Sequence, residues 1–121
     1  MSCDTTAADL TWTRGDSGRL DVTVASADGT AYDLTGATLF LTVKTAVSVA
    51  DASATLRKEV TSHDDAAAGE SHFDLATTDN PTAGTFVFDV QLKTSAGKIY
   101  TLFGGIWKVL ADVTTRTAPL A

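Results

Sequence analysis

The sequence predicts an all-β fold, a β-sandwich of about seven to eight antiparallel strands in a single domain. Three observations predict it. Residues 84–93 (GTFVFDVQLK) put Phe86, Phe88, Val90 and Leu92 on one face of an extended strand and Val87, Asp89, Gln91 and Lys93 on the other. That is period-two alternation over four repeats. Shorter alternating segments recur along the chain with turn signals about every 8–12 residues, the spacing of a sandwich. No segment holds a clear helical period. Burying the four apolar side chains of residues 84–93 contributes on the order of 1.5–3 kcal/mol each, before conformational entropy is subtracted.

In chain order, residues 8–14 (ADLTWTR) alternate Leu10 and Trp12 against Thr11 and Thr13, and Gly15-Asp16-Ser17-Gly18 breaks the strand. Residues 19–25 (RLDVTVA) set Leu20, Val22 and Val24 against Asp21 and Thr23, and Asp28-Gly29 marks a tight turn. After a corner at residues 32–36, residues 37–44 (ATLFLTVK) place Leu39, Leu41 and Val43 on one face and Phe40 on the other. Residues 45–54 read as a loop, and residues 55–60 as a strand with Leu56 and Val60 inward. Residues 62–69 form a turn, and residues 71–76 a strand with Phe73 and Leu75 together. Pro81 forbids regular pairing in the next connection. Following the 84–94 strand and a Ser95-Ala96-Gly97 turn, residues 98–103 and 106–113 read as two strands joined by a bend or bulge at Gly104-Gly105. The expected organisation is a flexible N-terminal tail (1–7), the sandwich (8–114) and a C-terminal tail (115–121).

The bulk numbers exclude several classes. A chain of 121 residues, 44% hydrophobic and 20% charged, is globular. Net charge is −6, and the nine Lys and Arg residues never form a run, so nucleic acid is not an expected partner. No apolar run reaches the ~18 residues of a membrane helix, and the N-terminus has no secretory pattern. Cys3 is the single cysteine, so no intrachain disulfide and no cysteine-based metal site is expected.

The motifs carry little chemistry. Arg14-Gly15-Asp16 spells an integrin-recognition tripeptide, but its glycine serves a turn between two strands. His63, Asp64, Asp65, His72 and Asp74 form the one cluster that could ligate a metal or serve a small hydrolase. Their spacing matches no zinc motif, and Asp64, Asp65 and Asp79 lack the alternating oxygens of a calcium loop. A solvated hairpin is the plainer reading, so no catalytic residue, metal or cofactor is expected. No Gly-x-Ser-x-Gly elbow, Walker loop or dinucleotide fingerprint is present. Trp107 lies out of phase with Ile106 and Leu110, and Phe40 and Val87 with the apolar faces of their strands. Together with Tyr100, these three are the candidate partner contacts, with core packing the rival reading for Trp107.

The order of Trp12-Thr13-Arg14-Gly15-Asp16, Asp28-Gly29, Asp33-Leu34-Thr35-Gly36-Ala37 and the strand ending Val43-Lys44 resembles the N-terminal β-sandwich of phage upper-baseplate and related tail proteins. Gly84 with Phe86 to Leu92, the turn at Ala96-Gly97, Thr101-Leu102, Gly105 and Asp112-Val113-Thr114 resemble that family's closing hairpins. The likeness spans residues 10–114. It implies an immunoglobulin-like sandwich in a non-enzymatic phage or prophage virion protein, made in the host cytoplasm. Such a protein would be a tail- or baseplate-associated adaptor that docks on other virion proteins and assembles as a homo-oligomer, a trimer or hexamer. In those relatives further segments after the sandwich hold receptor-binding proteins. A sandwich on its own instead suggests capsid decoration or a place at a joint of the particle. The rival from another class is a host-receptor or carbohydrate-binding module, for which an exposed Trp12 would be the first sign.

Overall fold

The computed structural model describes residues 6–7, 9–26, 28–46, 48–79 and 82–111, and it is all-β. The strands are β1 (Thr6–Ala7), β2 (Leu10–Thr13), β3 (Gly18–Thr23), β4 (Thr38–Lys44), β5 (Leu56–Val60), β6 (Glu70–Leu75), β7 (Gly84–Lys93) and β8 (Ile99–Leu110). Seven of them are four residues or longer, and a single 3-10 turn (Asp51–Ser53) interrupts the loop before β5. The larger sheet runs β1-β8-β7-β4-β5, with β2 also on β8, and the smaller pairs β3 with β6. The inner faces of both sheets share one hydrophobic core, with Leu20, Val22, Phe73 and Leu75 on one side. Leu39, Leu41, Val43, Phe88, Val90, Leu92 and Trp107 lie on the other.

Three expectations are corrected. First, the strands are not all antiparallel, because β1 and β2 run parallel to β8, with Thr6 opposite Phe103 and Leu10 to Thr13 opposite Trp107 to Leu110. Among the described residues, pairing is already present at Thr6, within residues 1–7. Between β1 and β2 a side chain keeps the ladder's donor satisfied, as the Asp9 carboxylate accepts the Ile106 N–H at 3.1 Å. Residues 1–5 and 112–121, Cys3 and Val113 among them, lie outside the described residues, as does Pro81.

Second, the described part of the two strands expected at residues 98–103 and 106–113 is one strand, the twelve-residue β8 (Ile99–Leu110). The register shift against β7 falls between Val90 and Gln91, where Leu102 is the extra residue, and not at Gly104-Gly105. The glycine at 104 answers a different need. A Cβ there would lie 2.6 Å from the Phe88 carbonyl oxygen, so only glycine lets the two strands approach this closely.

Third, one candidate contact residue, Trp107, belongs to the interior, while Tyr100 is partly buried. Trp107 is 0% exposed, its ring 5.0 Å from Trp12 and 5.4 Å edge-on from Phe88. A side chain with no accessible surface presents nothing to a partner. Its phase is the reason: opposite Phe86 on β7, it takes the core face and leaves Ile106 and Leu110 outside. Tyr100 pairs with Leu92 and packs against the core. Phe40 and Val87 do lie on the outer face, partly exposed.

The turns follow their chemistry. Asp28 accepts from the Thr30 hydroxyl at 2.7 Å and the Thr30 N–H at 3.1 Å, and Asp33 does the same with Thr35 at 2.6 and 2.9 Å. These hydrogen bonds hold both carboxyls below the usual carboxylate range. Arg14-Gly15-Asp16 is a turn, its Gly15 at φ +79° and Asp16 N–H bonded to the Thr13 carbonyl at 3.2 Å.

Candidate functional site

Antiparallel pairing of β3 with β6 sets Arg19 opposite Asp74 and Asp21 opposite His72, all on the outer face of the small sheet. The β5–β6 loop brings Asp64 over them. His72 Nδ1 lies 2.8 and 2.9 Å from the two Asp64 carboxylate oxygens, and its Nε2 lies 3.2 Å from Asp74. Arg19 donates from Nε to Asp21 at 2.6 Å and from the guanidinium terminus to Asp64 at 3.0 Å. A groove of about 300 Å³ runs beside this network, lined by Arg19, Asp21, Val22, Thr23, Asp64, Glu70 and Ser71.

With a carboxylate at each ring nitrogen, His72 favours the doubly protonated imidazolium. The Asp64 hydrogen bond raises its pKa most, Asp74 adds to it, and desolvation and the Arg19 charge oppose it. A histidine whose folded-state pKa exceeds its unfolded value of about 6.5 adds stability that is fully present below that pH. The gain is lost as pH rises through the folded-state value. Thermal unfolding of wild type and His72→Gln, compared at about pH 5.5 and about pH 8.5, should show a wild-type advantage at the lower pH that shrinks at the higher.

His63 lies apart from this network. Its Nε2 donates to the Ala37 carbonyl at 2.9 Å, since a carbonyl can only accept. In the neutral ring that leaves Nδ1 to accept from the Ser71 hydroxyl, also at 2.9 Å. Ser71 is 2% exposed and shares the core phase of Phe73 and Leu75. The pair pins the β5–β6 loop to the start of β4. Ser71→Ala, which strands the imidazole acceptor, should cost about 1–2 kcal/mol of unfolding free energy in a denaturant titration.

The predicted cluster therefore splits: His72, Asp64 and Asp74 come together, while His63 turns inward. Asp65 closes the loop onto itself through Glu70 and Ala68. Among the described residues no group of three or more His, Cys, Asp or Glu side chains is arranged to hold a metal ion. Asp79 is taken by Lys58 at 2.8 Å and by the Ala76 N–H at 2.6 Å. Two members escaped the sequence reading. Arg19 joins only through the β3–β6 register, which no local pattern reveals. Ser71 did carry a signal, a hydroxyl in the core phase of its strand.

The second surface feature is the outer face of β8. Ile99, Ile106 and Leu110 are 60%, 37% and 42% exposed and line its outward side, with Val87 opposite Ile106 on β7. Trp12 is not an open aromatic platform. It is partly buried on Trp107, its six-membered ring edge against Gly18, and its Nε1 is buried with no hydrogen-bond partner. A scan against protein-family models finds no match for this chain, and a search of the curated proteins finds none.

Proposed function

We propose that this chain is an immunoglobulin-like docking module, a non-enzymatic structural component of a phage or prophage virion. It acts through protein–protein contacts at a tail or baseplate. The observation that carries the docking part is the row of Ile99, Ile106 and Leu110 on the outer face of β8. Ile106 and Leu110 flank Lys108 there, with Val87 opposite Ile106 and Ile99 at the far end of the strand, so a partner meets apolar side chains set around a lysine. The immunoglobulin-like reading is supported by connectivity. The first strands run parallel to the last, the order continues β8-β7-β4-β5, and β3 and β6 cover the other side of the core. The virion reading rests on the turn and strand markers of residues 10–114.

The test is direct. Particles purified from the source strain should contain the chain at a fixed copy number by quantitative mass spectrometry. Ile106→Asp with Leu110→Asp should reduce its incorporation at least tenfold without unfolding it. Absence from purified particles, or measurable turnover of a small substrate by the pure protein, would remove this reading.

A further inference from the structure

The outer faces of the two sheets carry opposite charge. On the large sheet, Lys44, Arg57, Lys93 and Lys108 point outward with Glu59 and Asp89, and Asp9 lies beside Ile106 at its edge, four cations against three anions. On the small sheet and its covering loop, Arg19 and His72 face Asp21, Asp64, Glu70 and Asp74, at most two cations against four anions. The whole chain carries −6, so a net positive face on it is a local reversal and not a reflection of composition. Since both inner faces point at one core, the positive and negative faces look in opposite directions.

We infer that copies of this chain associate head to tail, the outer face of the large sheet of one copy on the outer face of β3–β6 of the next. A second copy is the occupant that matches both faces at once. Each face repels its own like, so a symmetric contact of either face with itself is disfavoured, while the mixed contact is attractive. The inference deepens the docking reading above and rests on it only for the premise that these faces meet protein. A mixed contact of this kind is heterologous and builds rings or filaments, not closed dimers. Two six-residue strands span about 20 by 10 Å, far below the ~800 Å² per partner of a stable pair. Each contact is therefore weak alone and becomes durable when a ring closes or a particle aligns many copies.

The experiment is sedimentation of the full chain over a range reaching several hundred micromolar, in about 50 mM and about 500 mM salt. At low salt the weight-average mass should climb above one chain with concentration, and at high salt it should fall back. One variant reverses the positive face (Arg57→Glu, Lys93→Glu, Lys108→Glu) and another the negative face (Asp21→Lys, Glu70→Lys). All five side chains are exposed, and unchanged thermal unfolding is the control for folding. Neither variant should self-associate, and an equimolar mixture should recover the wild-type mass increase. A wild type that stays at one chain mass at low salt overturns the inference. So does association lost in only one variant, which would mean a symmetric contact, or association kept in both. If self-association fails while the chain is still found at fixed copy number in particles, the docking reading stands and only the head-to-tail contact falls.

Discussion

Gly69→Ala should destabilise this protein by about 3 kcal/mol or more, lowering its melting temperature by about 10–20 °C. Gly69 has φ +72°, where a residue with a Cβ already costs about 1–2 kcal/mol. The larger effect is steric. An added Cβ would lie 2.3 Å from the Val24 carbonyl oxygen and 2.8 Å from that of Tyr32. The Val24 oxygen cannot retreat cheaply, because the Val24 N–H donates to the Gly69 carbonyl at 2.8 Å and the oxygen itself accepts from the Tyr32 N–H at 3.0 Å. The same network continues through Leu34 N–H to the Ala66 carbonyl at 2.8 Å. Gly15 supplies the control. At φ +79° with nothing within 4 Å of an added Cβ, Gly15→Ala should cost only about 1 kcal/mol. Equal losses at the two sites, measured by denaturant unfolding, would show that close approach at Gly69 contributes nothing.

Trp107→Ala should cost about 3–5 kcal/mol, the usual price of emptying a large aromatic site in a core. The ring is fully buried between Trp12 and Phe88, so its removal opens a cavity and breaks two aromatic contacts at once. One residue earlier the outcome reverses. Ile106→Ser, on the outer face, should change stability by less than about 1 kcal/mol. A pair of melting curves separates the two roles. If Trp107 were a partner anchor, its loss would weaken docking and leave the fold intact.

Alternation made most of the strands legible. Where one face meets core and the other water, as in β7 and β3, the pattern is written in every second residue and the boundaries follow within a residue or two. Lys58 on β5 shows the limit of that logic. It shares the inward phase of Leu56 and Val60, yet its long side chain carries the charge out to Asp79. What could not be read was which strand meets which. The parallel pairing of β2 with β8 joins residues almost a hundred positions apart, and nothing near Leu10 or Trp107 announces it. The same blindness hid Arg19 from the His72 network. Trp107 could be read two ways because either phase of residues 106–110 is apolar, and the structure buries Trp107 and Val109 and leaves Ile106 and Leu110 exposed.

The parallel arrangement of β1 and β2 on β8 has a mechanical side. Among the described residues, the first pairing lies beside Phe103 and the last at Leu110, roughly 20 Å further along the same strand. Tension applied between these two points pulls the ladder lengthwise, so its bonds resist in shear together and do not unzip one by one. In a module strung between neighbours, that geometry lets load pass from one end to the other while the core stays shut.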